Sequence, residues 1–249
     1  MDPCAGTGAT FHQLTEGADV DKHGVELDAG RAAQSAASGI TTIHGNLFET
    51  IGKAESFSFL YLNPPYDSEI GSRDNKRMEY LFLEHTFRWL VEGGVLLMVV
   101  PQERLDSAIP LLAGNFTDPQ IYRLTDPEAE RFDQVALFGI RKRMRGEHYE
   151  RNRALLVEMV WRKSMPVLGG SETPYSVPPA QSSPLVYRGL PLDQIEDLVP
   201  RLCCMAAGCS LPVAQGRGAG WPSDHPAARW PRRPAVHRRP IERCLRAGK

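Results

Sequence analysis

The chain has 249 residues, 42% hydrophobic, 8% aromatic and 24% charged, values that suit a soluble globular protein of one large domain or two small ones. No apolar run reaches the roughly eighteen residues of a membrane span, and no basic stretch followed by an apolar core opens the chain, so neither a membrane partner nor a signal peptide is read and a cytoplasmic location is expected. The net charge of −1 hides an asymmetry, because residues 1–200 hold 19 Lys+Arg against 28 Asp+Glu while residues 201–249 hold 10 against 2.

Short β-branched or aromatic runs alternate with longer amphipathic stretches over residues 1–163, which predicts an α/β organisation with a mostly parallel sheet. A glycine turn at Asp2–Gly8 leads into a helix at Ala9–Glu16, followed by a strand at His23–Asp28. A helix at Ala29–Ser38 and strands at Thr41–His44 and Phe57–Leu62 come next. A helix over Lys76–Val91 places Leu81, Leu83, Phe87 and Leu90 near one face and is expected to end at Gly93-Gly94, where the chain must turn left-handed. Gly94–Val100 is almost continuously apolar, the mark of a strand covered on both faces. A helix at Gln102–Ala113 and strands at Gln120–Leu124 and Phe132–Arg141 complete the alternation.

Residues 164–200 contain seven prolines and read as an extended linker, a surface wrap or the start of a recognition region, with one possible helix at Leu192–Val199. Residues 201–249 have no Phe or Tyr and only six Leu, Ile or Val, too little to build a core. Two readings of this basic tail compete: an Arg-rich arm for phosphates, or a chain out of its proper reading frame. The absence of any periodicity favours the second. Cys203, Cys204, Cys209, His225 and His237 include no C-x-x-C pair, so no metal site is expected there.

Three motifs carry chemistry. Asp2-Pro3-Cys4-Ala5-Gly6-Thr7-Gly8 is a turn whose glycines let the backbone approach a ligand. About twenty residues later, Glu26 and Asp28 end a strand, where a carboxylate accepts hydrogen bonds from both hydroxyls of a ribose. The plainer alternative for these two acids is a solvated strand end capping the next helix. After the following strand, the Asn46 amide is suited to the edge of an adenine, with Leu47 or Phe48 packing on its face.

The third motif, Asn63-Pro64-Pro65-Tyr66, follows the apolar strand Phe57–Leu62. Ligands bind at such carboxyl ends in open α/β sheets. The prolines fix φ and remove donors, so the Asn63 side-chain oxygen and the Pro64 carbonyl together can accept both hydrogens of an exocyclic amine or amide. That draws the nitrogen toward tetrahedral geometry and frees its lone pair for an electrophilic methyl group. Tyr66 offers a stacking surface for a base taken out of a duplex.

In this order and spacing the motifs over residues 1–145 resemble a class I S-adenosylmethionine-dependent methyltransferase. More closely, they resemble the amino-methyltransferases of adenine N6 in DNA. The resemblance implies a Rossmann-like sheet with a late antiparallel strand at Phe132–Gly139, and S-adenosyl-L-methionine as cofactor. Its glycine motif falls on Asp2, Cys4, Gly6 and Gly8, its ribose acid on Glu26, and its adenine contacts on Asn46 and Leu47. Its catalytic motif falls on Asn63, Pro64, Pro65 and Tyr66, and DNA is the implied partner. Asn46 stands where an Asp is more usual. The family's first strand normally precedes Asp2-Pro3, so a catalytic domain over 1–163 without that strand is expected, and with it an inactive remnant is one alternative. The same tetrapeptide also resembles that of enzymes acting on a glutamine amide or an RNA base. Arg73, Lys76, Arg77 and the run Arg141–Arg145 could meet phosphates or simply be solvated.

Overall fold

The structure is a computed structural model that describes residues 1–65, 77–125, 133–162, 164–170 and 172–190, with the backbone of 245–247. Tyr66, Arg73, Lys76, the expected helix at Leu192–Val199 and the rest of the basic tail lie outside the described residues. The described residues up to Gly189 belong to one compact unit, Met1–Gly189 with His237–Lys249. Among the described residues, no helix is long and apolar enough to cross a membrane.

The fold is α/β, built on a mixed sheet. Strand β1 (His23–Glu26) pairs in parallel with β2 (Thr41–His44), in the register Val25 to Ile43. A two-residue strand β3 (Thr50–Ile51) follows, and then β4 (Phe57–Leu62) pairs in parallel with β5 (Leu90–Pro101). The strand β7 (Gln134–Arg141) runs antiparallel to β5, and β6 (Phe116–Arg123) runs antiparallel to β7 at the edge.

Met1 and Asp2 stitch the two groups of strands together. The Met1 amine donates to the Phe59 carbonyl at 2.9 Å, and the Met1 carbonyl accepts from Tyr61 N–H at 3.0 Å. On the other side, Asp2 N–H donates to the His23 carbonyl at 2.9 Å and the Asp2 carbonyl accepts from Val25 N–H at 3.0 Å. The spatial order is therefore β2, β1, Met1-Asp2, β4, β5, β7, β6. This order places the carboxyl ends of β1, β2 and β4 along one edge, where the sequence puts its motifs.

The period of two in β5 sends alternate side chains into two cores. Leu96, Met98 and Val100 join Leu60, Leu62 and Leu137 on one face. That face is covered by α3 (Met78–Thr86), α4 (Ile109–Asn115) and α5 (Gly146–Val160) through Phe82, Leu83, Ile109, Leu112, Leu156 and Val160. Val95, Leu97 and Val99 face the other way with Tyr61, Ala136 and Phe138, beneath Phe11 and Leu14 of α1 (Ala9–Leu14). The Pro-rich segment supplies the remaining cover on this face. Leu168 and Tyr175 are buried there, Tyr175 stacks on Phe138 at 5.4 Å, and its hydroxyl donates to the Asp118 carbonyl. Tyr175 begins the short strand β8 (Tyr175–Val177), which pairs in parallel with Leu245–Ala247.

Several boundaries differ from the sequence expectation. The helix expected over Lys76–Val91 ends at Thr86; a 3₁₀ turn spans Phe87–Trp89 and the strand starts at Leu90. Gly93 is left-handed as expected, with φ of 81°, but it lies in a bulge of β5 where Phe57 pairs with Leu90 and Phe59 with Val95. The inner face of α3 carries Glu79, Phe82, Leu83 and Thr86 at helical spacing rather than Leu81. Gln102–Ala108 is 3₁₀ and only Ile109–Asn115 is α-helical. Strand β6 begins eight residues after Ala108 at Phe116 and passes Pro119 by a bulge at Asp118, whose φ is 50°.

The 15-residue α5 was not expected at all. Its buried residues Asn152, Leu156 and Val160 recur every fourth position in an otherwise polar stretch. Asn152 ties it down by donating from Nδ2 to the carbonyls of Ala113 and Phe116 at 3.0 and 2.6 Å.

Candidate functional site

The glycine turn is held by its own first residue. Asp2 is 1% exposed, and its Oδ1 accepts from Cys4 N–H at 3.0 Å. The turn then leans on β1, with Ala5 N–H donating to the Val25 carbonyl at 2.9 Å. Gly6 and Gly8 take φ of 56° and 76°, values that favour glycine. A Cβ on Gly8 would lie 2.7 Å from the Ile40 side chain, so α1 can follow the turn this closely only without one.

Glu26 is buried at 6% exposure, not solvated. Its Oε2 accepts from Gly6 N–H at 2.7 Å, and its Oε1 accepts from Asp28 N–H at 3.0 Å and Arg31 Nη2 at 2.8 Å. Asp28 does take the plainer role. It caps α2 (Ala29–Ala37) by accepting from Arg31 N–H at 2.8 Å. Glu26 thus joins the glycine turn, the start of α2 and a cation in one cluster.

At the end of β2, the Asn46 side-chain oxygen accepts from Phe48 N–H at 3.0 Å and caps a 3₁₀ turn over Leu47–Glu49. Leu47 turns into the main core at 4% exposure. Phe48 stays 39% exposed and meets Phe82 edge-on at 5.3 Å. Of the two side chains considered for a ring face, only Phe48 stands at the surface.

Asn63, Pro64 and Pro65 follow β4 directly. Asn63 is half-buried, Pro64 buried and Pro65 exposed. The Asn63 Nδ2 donates to the Tyr61 hydroxyl at 3.4 Å, and the Tyr61 ring is held by stacking on Phe11 at 6.4 Å. That orientation commits the nitrogen end of the Asn63 amide to Tyr61. Because Met1 sits between Phe59 and Tyr61, the parallel register brings Asn63 level with the start of the glycine turn. The structure therefore gathers Asp2, Cys4, Gly6, Gly8, Glu26, Asn46, Asn63, Pro64 and Pro65 at one edge of the sheet.

Of the Arg141–Arg145 run, Arg141 turns inward. Its guanidinium lies 5.2 Å from the Phe87 ring centroid and donates to the Asn115 carbonyl at 3.0 Å. Lys142, Arg143 and Arg145 remain exposed.

A family model described as an uncharacterised methyltransferase family (DUF6094) matches residues 1–161. The chain belongs to this family. None of the curated proteins matches the chain in sequence. Among solved structures it is similar to a Listeria monocytogenes protein assigned to the class I S-adenosylmethionine-dependent methyltransferases, with TM-score 0.48 and 15% identity over 57% of this chain and 53% of that one. It is also similar to the tRNA (m1A58) methyltransferase of Aquifex aeolicus, with TM-score 0.43 and 13% identity over 57% and 62% of the two chains. For the 16S rRNA N2 G1207 methyltransferase of T. thermophilus, solved with AdoMet and guanosine, the values are 0.39 and 14% over 52% and 31%. The matched region spans about half the length of the Listeria protein.

The family is described as a methyltransferase family, and the residues present fit S-adenosyl-L-methionine, the cofactor that the sequence motifs imply. A carboxylate offers about four lone-pair positions. Three at Glu26 are taken, by two backbone N–H groups and by Arg31, whose side chain is 53% exposed and easily displaced. A ribose diol needs two acceptor positions, so Glu26 can supply the open one and the one Arg31 holds. Asn46 and Phe48 stand at the neighbouring strand end for a purine. Sequence reasoning did not single out Arg31, although it lies five residues after Glu26 on the first turn of a helix. It also passed over Tyr187, which packs at the end of β2 and gives no local signal.

Proposed function

We propose that the chain methylates the exocyclic N6 amine of adenine in DNA. Bound S-adenosyl-L-methionine supplies an electrophilic methyl group. The chain's own residues hold the acceptor. The Asn63 side-chain oxygen and the Pro64 carbonyl would accept the two amine hydrogens and expose the nitrogen lone pair; no strong base is needed beforehand, because the surplus proton leaves to water only after the methyl group has moved from sulfur to nitrogen. Tyr66 stacks on the flipped base. The single observation that carries this reading is the placement of Asn63-Pro64 at the carboxyl end of β4, level with the glycine turn and with the amide oriented by Tyr61.

A glutamine amide or an RNA base presents the same NH₂ geometry. The 28 acidic against 19 basic residues of 1–200 argue against tight non-specific binding of a nucleic acid without a basic recognition region, and so favour the glutamine amide as the second reading. Measuring N6-methyladenine in host DNA with and without the intact gene separates the readings. Loss of the modified base with the gene supports DNA. Loss of methylglutamine from proteins, or of a methylated RNA base, in its place overturns it.

A further inference from the structure

The Pro-rich segment returns to the site 138 residues after Glu49. Strand β9 (Val186–Tyr187) pairs antiparallel with β3, Thr50 opposite Tyr187 and Ile51 opposite Val186, and Arg188 N–H donates to the Glu49 carbonyl at 2.9 Å. This pairing lays the Tyr187 ring on Gly45, the residue that joins β2 to Asn46. The packing is close. A Cβ at position 45 would lie 2.5 Å from Tyr187 Cε2, so any residue but glycine would push the ring away. The Tyr187 hydroxyl donates to Glu49 Oε2 at 3.1 Å. Burial and this hydrogen bond push the phenol above its usual range, so it remains a neutral donor at physiological pH. A neutral aromatic ring, half-exposed, thus stands over the same strand end as Asn46 and the exposed Phe48.

We infer that Tyr187 forms the outer wall of the purine subsite, so that the segment beyond the family-matched residues 1–161 completes the cofactor pocket. The inference rests on the proposal that Asn46 lies at the adenine of S-adenosyl-L-methionine. A ring held by strand pairing on one side and by Glu49 on the other is pre-ordered, and it loses little freedom when a purine packs against it. A mere fastening of β3 would use the hydroxyl and the backbone, and would be indifferent to the purine.

Photolabelling of the full chain with 8-azido-S-adenosylhomocysteine, followed by peptide mapping, tests this directly. Attachment at Tyr187 or its neighbours Val186 and Arg188 is expected; attachment confined to residues 1–65 overturns the inference. Calorimetry with S-adenosylhomocysteine supplies a second arm. Stacking on an aromatic side chain predicts that Tyr187→Ala weakens binding about tenfold, while Tyr187→Phe stays within about threefold. Tyr187→Leu, which keeps bulk, guards against loss of folding: a folded Tyr187→Leu chain that binds as tightly as wild type overturns the inference. Failure of the wild-type chain to bind S-adenosylhomocysteine would instead defeat the cofactor assignment itself.

Discussion

Strand β5 keeps six consecutive residues, Val95–Val100, at 5% exposure or less, whereas β2 buries none of its four. The strands β4, β5 and β7 are long, apolar and covered on both faces. The strands β1 and β2 are four residues each and end in polar groups engaged with turns, namely Glu26 with Gly6 and Asn46 with Phe48. Candidate site residues follow strands of both groups, Asn63-Pro64 after β4 and Glu26 and Asn46 at the ends of β1 and β2, but the long buried strands supply the scaffold. Met1 and Asp2 hydrogen-bond to both, so the two halves share a frame while differing in what each can lose.

The contrast can be broken from the scaffold side most strongly. Leu97 is fully buried in the middle of β5, and truncation to Ala leaves a cavity that costs about 2–5 kcal/mol. Denaturant unfolding of Leu97→Ala should show that loss, while the folded fraction binds S-adenosylhomocysteine as wild type does. A weakened affinity would mean the halves are not separable.

The shared frame should respond to pH. Burial lowers His23 below its ordinary 6.5. Just below that pH the unfolded chain holds a proton on the imidazole that the folded chain lacks. Stability therefore rises with pH up to about 6.5, by at most about 1.4 kcal/mol per unit, and levels off above it. Unfolding free energies at pH 5.5, 6.5 and 7.5 check this, and a flat or falling series contradicts it.

On the site side, Glu26→Gln keeps the size of the side chain but removes the charge that serves Gly6, Asp28 and Arg31. Hydrogen bonds to a charged group are worth about 1.5–3 kcal/mol, so S-adenosylhomocysteine affinity should fall roughly 10- to 100-fold. Its melting temperature should move much less than that of Leu97→Ala. The smallest effect belongs to Arg31→Ala. The guanidinium is half-exposed, so its pair with Glu26 contributes under about 1 kcal/mol to stability. Because Arg31 holds a position the ribose needs, affinity should stay level or tighten. A tenfold loss would make Arg31 a ligand in its own right.

In both halves the strands built from local runs were the legible ones, for a physical reason. Phe57–Leu62 and Thr41–His44 matched their strands because local apolar or β-branched runs specify strands directly. Leu90–Glu92 did not read as strand, since the bulge around Gly93 depends on pairing with β4. The helix α5 was hidden by the charged residues on its outer face, although Asn152, Leu156 and Val160 carry its inward spacing. At the site, the sequence order alone brought out Glu26, Asn46 and Asn63, each at the end of a strand. Leu47 and Phe48 could not be told apart without knowing which one turns into the core. Tyr187 reaches Gly45 through a two-residue pairing across 138 positions, and no local pattern encodes such a contact.

The most direct test of the account is transfer from methyl-labelled S-adenosyl-L-methionine by the purified chain to duplex DNA, digested to nucleosides, for wild type and Asn63→Ala in parallel. Loss of one oriented acceptor at the reacting group should cost at least about 100-fold in rate. The account predicts label in N6-methyldeoxyadenosine with wild type and its near loss in Asn63→Ala, at unchanged affinity for S-adenosylhomocysteine. Label formed equally well by both proteins, or none in DNA while a glutamine amide or RNA base is methylated, would contradict it.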